Sequence, residues 1–325
     1  MLLAALIGIA LGQGPVLGTD DGWFTLEGRP VFLLGMSYYG ALGIDDEKIF
    51  AGDLDEMKAR GFNWVRVWAT WNGYENNVCA VAPDGSARAP YIDRLKRLCP
   101  LAGERGMVVD VTVVRGEGPD YPSGMAEHTR VIETLARELL PYRNVYFDVG
   151  NERNIGDARH VPMEEVAQLI ASVKKADPKR LCTASQGGDI GDDELRAYLN
   201  AGVDFITPHR GRYEESAGET AEKTKHYFAV MDGVRRVPVH YQEPFRRGYD
   251  SWEPGLGDFT ADLDAAKSSG AAGWCFHNGS VRKAGDPTKG RPRRSFDLRR
   301  EEGRLFDQLD PVERAFVGSL RGRGK

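Results

Sequence analysis

Eight apolar, β-rich segments alternate with amphipathic helical segments, and this alternation constrains the fold more than any other feature. Each segment is six to eight residues long and mostly apolar on both faces. Strands of that kind are typical of parallel sheets covered by helices. Eight such βα units predict a (β/α)8 TIM barrel, which needs about 250 residues. The segments begin at Val31, Asn63, Met107, Asn144, Arg180, Asp204, Val237 and Ala271.

The main alternative is an open, doubly wound α/β sheet. That fold usually carries a glycine-rich GxGxxG turn after its first strand, and no such motif follows Val31. Residues 19–31, "TDDGWFTLEGRPV", precede the first barrel strand and predict a short β-hairpin that covers the barrel bottom. We find no linker or internal repeat, so residues 19–325 are predicted to form a single catalytic domain.

The ends and the charge of the chain limit its partners. A formal net charge of −5 provides no general attraction to nucleic acid or to anionic membranes. The first 14 residues form an apolar run that is too short to span a bilayer. Residues 1–18 resemble a signal peptide without its basic start, which predicts a secreted or periplasmic protein. The alternative is a buried N-terminal segment in a cytoplasmic protein. No later segment predicts a membrane span.

The four cysteines do not form a metal motif. Cys182 and Cys275 lie in strand-like segments and are expected to be buried thiols, whereas Cys79 and Cys99 could form a disulfide in an oxidising compartment. Neither CxxC nor HExxH spacing occurs. We therefore expect no metal and no cofactor.

Chemistry in a barrel of this kind is expected at the carboxyl ends of the strands. Glu152 follows the fourth predicted strand and Glu243 ends the seventh, so the two carboxylates should face each other across the barrel. Paired carboxylates can serve as general acid and nucleophile in the cleavage of an acetal. Equally, both glutamates could simply form ion pairs with arginines at the rim.

The sequence "GNE" after the fourth strand, together with a glutamate after the seventh, resembles clan A glycoside hydrolases, including the family 5 cellulases. The resemblance spans about residues 31–280 and implies a divergent branch with a retaining mechanism. It implies that Glu152 is the acid/base and Glu243 the nucleophile. The substrate-binding residues that it implies are Asn151, Arg66, His209, Tyr213 and Trp274, with Tyr213 placed differently from the usual His-x-Tyr spacing.

Further aromatic and basic residues lie at the strand ends. Trp68 could stack on a sugar ring, and Arg115 and Asn278 complete the candidate substrate-binding set. Many of these strand-end residues are arginines, which bind carboxylate and sulfate groups through paired hydrogen bonds. The carbohydrate substrate could therefore carry an acidic group. The alternative is that the arginines pair with acidic residues around the rim.

The predicted function is a retaining glycoside hydrolase that cleaves O-glycosidic bonds, expected to be β-linked, by double displacement. Two alternatives use the same barrel. One is a carbohydrate-binding protein without catalysis, and the other is a transglycosidase that passes the same intermediate to a sugar acceptor.

Overall fold

A computed structural model describes residues 14–73, 76–248, 252–278, 298 and 304–320. The apolar run at residues 1–13 and the basic loop at residues 281–294 lie outside the described residues. The described chain begins with a three-stranded antiparallel sheet instead of a two-stranded hairpin. Its strands are β1 (Leu17–Asp20), β2 (Trp23–Leu26) and β3 (Arg29–Val31). The first described strand begins at Leu17, within residues 1–18, the segment predicted as a possible signal peptide.

Seven parallel strands form the central sheet, each surrounded by apolar contacts. Their spatial order places sequence neighbours side by side, as successive βα units require. In spatial order they are β10 (Cys182–Thr183), β9 (Val145–Asp148), β8 (Val108–Thr112), β5 (Trp64–Trp68), β4 (Leu33–Ser37), β12 (Gly273–Phe276) and β11 (His240–Tyr241). A small hairpin, β6 (Asn72–Gly73) and β7 (Asn76–Asn77), follows β5.

The sixth predicted strand closes the sheet into a barrel. Its residues form isolated bridges instead of a continuous ladder, at Ile206 with Val239 and at Pro208 with Gln186. The Asp204 amide donates to the Cys182 carbonyl at 2.8 Å, and the His240 amide donates to the Ile206 carbonyl at 2.9 Å. The segment therefore joins β10 to β11, and the predicted (β/α)8 barrel is confirmed.

Helices cover the outside of the barrel, as the amphipathic patterns predicted. Within the described residues, none of them is both long and apolar enough to cross a membrane. They are α1 (Glu47–Ala59), α2 (Tyr91–Glu104), α3 (Met125–Glu138), α4 (Met163–Ala176), α5 (Asp192–Ala201), α6 (Ser216–Met231), α7 (Leu256–Ser268) and α8 (Pro311–Ser319).

The barrel interior has an aromatic floor. Trp64 and Tyr146 point inward, and Gly35 makes room for the Trp64 ring, because a Cβ at Gly35 would lie 2.0 Å from that ring. Phe24 from β2 is fully buried against the Phe205 ring at 4.9 Å between centroids. The N-terminal sheet thus closes the bottom of the barrel with an apolar side chain and leaves the opposite end for chemistry.

All four cysteines are buried free thiols. The possible disulfide between Cys79 and Cys99 is not formed. Cys99 faces the apolar core from α2, whereas the Cys79 thiol lies 3.6 Å from the Asp120 carbonyl oxygen in a loop. Burial raises the pKa of Cys79 to about 11 and that of Cys99 to about 12, so both stay protonated at neutral pH.

Candidate active site

A pocket of about 240 Å³ opens at the carboxyl ends of the strands. Aromatic side chains form one part of its wall, and charged side chains form the other. Both predicted catalytic glutamates line it. The lining residues are Tyr39, Trp68, Trp71, Val114, Tyr121, Asn151, Glu152, Arg159, Arg212, Glu243 and Arg246.

Glu243 lies just after β11 and is 5% exposed. Its Oε1 accepts a hydrogen bond from Arg66 Nη1, and its Oε2 accepts one from Arg212 Nη2 at 3.0 Å. His277 Nε2 lies 3.2 Å from the same Oε2. Cationic donors therefore hold both carboxylate oxygens in a single orientation, as a nucleophile requires.

Glu152 lies in the turn after β9 and adopts a left-handed backbone conformation with φ of 46°. A residue other than glycine is rarely found there, and such strain is concentrated at functional sites. The Glu152 amide donates to Ser185 Oγ at 3.0 Å, which holds the turn. Its carboxylate lies between Arg159 Nη1, 2.9 Å from Oε2, and His209 Nδ1, 3.3 Å from Oε1.

The two carboxylates are close neighbours. One oxygen of Glu152, one of Glu243 and one ring nitrogen of His209 all lie within 4.8 Å of one another. Retaining glycosidases separate their carboxyl groups by about 5–5.5 Å, whereas inverting enzymes leave about 6.5–9.5 Å for a water molecule. The approach of one oxygen from each carboxylate to within 4.8 Å is compatible with the shorter separation of retaining enzymes.

The environment favours the ionised form of both glutamates. Burial alone would raise the pKa of Glu152, but the hydrogen bond and charge of His209, with Arg212 and Arg159, lower that pKa well below its usual range. Burial likewise raises the pKa of Glu243, but the charges of His209, His277 and Arg66 lower it well below its usual range overall. In its ionised form, Glu243 is suited to act as a nucleophile. Glu152, in contrast, needs a separate proton source before it can act as an acid.

Arg66 organises the floor beneath the pocket. Its guanidinium is fully buried and contacts Asp110 at 3.3 Å and Asp148 at 3.1 Å in addition to Glu243. Arg66 Nη2 also donates to Asn151 Oδ1 at 2.7 Å. Because Arg66 occupies that oxygen, the two N–H donors of the amide are what Asn151 offers to a ligand. The predicted grouping of Arg66, Asn151 and Glu243 is therefore observed.

The aromatic wall contains two residues that the sequence interpretation missed, Tyr39 and Tyr121. Trp68 stacks on Tyr39 with 3.9 Å between ring centroids, and Trp71 lies 5.0 Å from Tyr39. Trp68 lines the pocket as predicted, although only 2% of it is exposed. Tyr39 is the second residue after β4, and strand-end position is the signal that could have identified it.

Trp274 does not lie in the pocket. It is fully buried on the outer face of β12, where its indole nitrogen donates to Asp262 Oδ2 at 2.6 Å and its ring packs on Phe316. Alternate residues of a strand face opposite sides. His277 faces Glu243, so Trp274, three residues earlier, faces the helices. The predicted sugar-stacking role of Trp274 is wrong.

Arg212, and not Tyr213, is the residue of this loop that reaches the nucleophile. Tyr213 is 40% exposed and its hydroxyl donates to Glu219 Oε2 at 2.5 Å, away from the lining residues. Arg212 contacts Glu243 at 3.0 Å and lies 3.9 Å from Glu152. The predicted role of Tyr213 is therefore wrong, and a guanidinium replaces the expected hydroxyl.

Two other predicted substrate-binding residues lie outside the pocket lining. Arg115 is buried, pairs with Glu165 at 2.6 Å and donates to the His160 carbonyl at 3.1 Å. Asn278 is fully buried just after β12. Neighbouring residues cover both side chains, which indicates a structural role for each of them.

The arginines at the strand ends separate into two groups. Arg153, Arg210 and Arg247 pair with Glu194, Asp189 and Asp310 respectively, away from the pocket. In contrast, Arg159, Arg212 and Arg246 line the pocket. Arg159 was not predicted, because it lies in the loop after β9 and only folding returns it to Glu152.

Among the described residues, the group of His, Cys, Asp and Glu side chains that could hold a metal ion is the set Glu152, His209 and Glu243. Arg66 and Arg212 already provide positive charge to these carboxylates. A cation bound there would lie next to two guanidinium groups and be repelled. The arrangement therefore suits acid–base chemistry better than metal binding.

Comparisons with known proteins agree with this geometry. The family model for cellulase (glycosyl hydrolase family 5) matches residues 27–224, more than half of the chain. None of the curated proteins matches this chain.

Solved structures with the same fold include two mannanases and a mannosidase. An endo-1,4-β-mannanase from Rhizomucor miehei is 14% identical, with a TM-score of 0.67 over 95% of this chain and 99% of that one. The exo-β-1,4-mannosidase Op5Man5 from Opitutaceae bacterium strain TAV5 is 19% identical, with a TM-score of 0.65 over 94% and 62%. An endo-1,4-β-D-mannanase from Thermotoga petrophila RKU-1 is 14% identical, with a TM-score of 0.61 over 90% and 99%. The chain belongs to glycoside hydrolase family 5.

Proposed function

We propose that this glycoside hydrolase cleaves its substrate by double displacement, with Glu243 as the nucleophile and Glu152 as the acid/base. The spacing of the two carboxylates is the observation that carries the proposal, since one oxygen of each lies within 4.8 Å of the other. Their surroundings also differ. Glu243 is 5% exposed and bonded at both oxygens, whereas Glu152 is more accessible and faces His209.

In the first half-reaction, a Glu243 oxygen attacks the anomeric carbon while the bond to the leaving oxygen breaks. Glu152 protonates that oxygen, and a glycosyl-enzyme ester forms. In the second, Glu152 removes a proton from water, which attacks the same carbon and releases Glu243. Asn151 donates to a substrate hydroxyl next to the nucleophile. Arg212 donates to Glu243 Oε2 and stabilises that carboxylate as it leaves.

This mechanism predicts that hydrolysis retains the anomeric configuration. Proton NMR of an aryl β-glycoside during turnover should show the β-anomer of the free sugar first, with the α-anomer appearing only through mutarotation. Two successive inversions at one carbon are the reason. Initial release of the α-anomer would indicate direct attack by water and would contradict the nucleophilic role of Glu243.

We further propose that the substrate carries an acidic group, such as the carboxylate of a uronate. Three guanidinium groups line one pocket of about 240 Å³. Arg159 and Arg212 hydrogen-bond the two glutamates, and Arg246 Nη1 contacts His277 Nε2 at 2.8 Å and Tyr39 Oη at 3.5 Å. Arg246 lines the pocket beside Tyr39, where its guanidinium can reach a substrate. We therefore propose Arg246 as the residue that binds an anion on the substrate.

The acidic-substrate proposal predicts a preference that depends on Arg246. The value of kcat/KM for an aryl uronide should exceed that for the matching neutral glycoside by roughly tenfold or more, as expected for a charge-assisted contact. Arg246→Met should remove most of this preference, and added salt should weaken it. Arg196→Met, at an exposed arginine paired with Asp193, is the control. Equal rates on both glycosides, without salt dependence, would show that the substrate is neutral.

A further inference from the structure

A chain of buried hydrogen bonds runs from the barrel floor to the active site, and the donor and the acceptor of each bond can be identified. Trp64 Nε1 lies 2.9 Å from Tyr146 Oη. An indole N–H can only donate, so the phenol oxygen accepts there. The phenol's own proton is then directed to Asp110 Oδ2 at 3.0 Å. Asp110 Oδ2 is therefore an acceptor in this chain.

Gln242 continues this order of donors and acceptors towards the active site. Its amide nitrogen donates to Asp110 Oδ2 at 2.5 Å and lies 3.2 Å from Tyr146 Oη. Thr112 Oγ1 accepts from Arg66 Nε and donates to Asp110 Oδ1, so both Asp110 oxygens act as acceptors. The reverse orientation of Gln242 would place its amide oxygen against an acceptor oxygen of Asp110. The Gln242 carbonyl oxygen consequently faces the other way, 3.4 Å from His209 Nε2. Since a carbonyl oxygen only accepts, His209 Nε2 carries a proton.

The other ring nitrogen of His209 faces the catalytic carboxylates. His209 Nδ1 lies 3.3 Å from Glu152 Oε1 and 3.8 Å from Glu243 Oε2. If Nε2 is protonated and the ring is neutral, Nδ1 has a bare lone pair directed at Glu152. A hydrogen bond between Nδ1 and Oε1 then requires one further proton, on either atom.

We propose that Gln242 is a positioning residue that keeps the catalytic proton on the His209–Glu152 pair. By accepting from Nε2, Gln242 prevents a neutral His209 from placing its single proton on Nδ1. The pair must then hold one additional proton to make its hydrogen bond. This inference rests on the proposed acid role of Glu152 and provides the proton that the cationic surroundings would otherwise remove from it.

The His209–Glu152 pair loses one proton in the first half-reaction and regains one in the second. Before the substrate reacts, Arg159 and Arg212 contact the Glu152 carboxylate, so the shared proton lies on the Nδ1 side of the hydrogen bond. As the glycosidic bond breaks, the proton passes through Glu152 to the leaving oxygen. In the second half-reaction the attacking water returns one proton to the pair.

Other charged and titratable groups also face His209 or Gln242. Burial raises the pKa of Asp110 to about 8, but Thr112 and Tyr146 donate to its two oxygens and keep both as acceptors. Glu243 faces Nδ1 but is neutralised by Arg66 and Arg212. His240 adjoins from β11, and burial lowers its pKa to about 3, so it is neutral. Among the contacts of the described residues, the one with Gln242 determines that His209 Nε2 carries a proton.

The pH dependence of Gln242→Met tests this inference. Without the acceptor, His209 can place its single proton on Nδ1, and the pair no longer needs the additional one. The basic limb of kcat/KM should move to lower pH by about one unit, a tenfold change in proton affinity, for substrates with poor leaving groups. Dinitrophenyl glycosides, which need no acid, should show no such shift.

Tyr146→Phe is the matched control, because it removes a donor to Asp110 but leaves the contact between Gln242 and His209. It should not move the basic limb. Equal shifts in both variants, or no shift in Gln242→Met, would overturn the inference. Nitrogen-15 NMR of His209 in the unaltered protein is the second measurement. A protonated Nε2 at neutral pH is expected, and a bare Nε2 would contradict the inference while leaving the two-glutamate mechanism intact.

Discussion

Glu243→Ala should lower kcat/KM by roughly 10⁴-fold or more, as losses of a nucleophile commonly do. The side chain supplies the atom that bonds to the anomeric carbon, and the other carboxylate among the described lining residues is Glu152, which serves as the acid/base. Azide or formate should fit in the space that the side chain leaves and partly restore turnover on aryl glycosides. Because a single displacement then replaces two, the product formed should have the inverted configuration.

The fold should survive this substitution, since Arg66 still pairs with Asp110 and Asp148. Circular dichroism and thermal unfolding can check this. Glu165→Ala is the matched control, because Glu165 pairs with Arg115 outside the pocket lining, and it should keep nearly full activity. Full activity of Glu243→Ala on a glycoside, or rescue with a retained product, would exclude Glu243 as the nucleophile.

Glu152→Ala should have an effect that depends on the leaving group. General acid catalysis contributes about 10²–10⁴-fold, so hydrolysis of alkyl glycosides and oligosaccharides should fall by that factor. Dinitrophenyl glycosides should still form the glycosyl-enzyme rapidly, because their leaving oxygen needs no proton. The missing base then slows the second step, so a burst of dinitrophenol should precede slow turnover.

Stopped-flow absorbance measures that burst, and mass spectrometry can detect the trapped ester on Glu243. Azide should accelerate the second step and give a glycosyl azide with retained configuration. The size of the loss should be plotted against leaving-group pKa for the variant and the unaltered enzyme. The same loss on every substrate, without a burst, would show that Glu152 has no acid role.

The barrel and the positions of the two glutamates could be predicted because both depend on local patterns. Continuous apolar segments separated by helical periodicity require parallel strands, and strand ends are marked by the change to polar residues. Glu152 and Glu243 both follow directly after such segments. Because the sheet closes into a barrel, the ends of the fourth and seventh predicted strands face each other, and the two glutamates lie close together.

Side-chain direction was harder to predict. The sequence of β12 places Trp274 near a strand end, but the direction of its side chain depends on the alternation along the strand. The inward position of His277 shows that Trp274 faces the helices. Similarly, Arg212 and Tyr213 are adjacent in a loop, and only the loop's path directs one to Glu243 and the other to Glu219.

The sequence alone therefore determined the fold class and the strand-end positions of the two carboxylates, and the family resemblance added Arg66 to the site. The fold class and the carboxylate positions follow from hydrophobic periodicity and from the change to polar residues after strands, which are properties of neighbouring residues. Only the tertiary structure decided the spacing of the carboxylates, the approach of Arg159 and Arg212, and the direction of the hydrogen bonds from Trp64 to His209. Those features join residues that are distant along the chain, and their distances and orientations exist only once the barrel has closed.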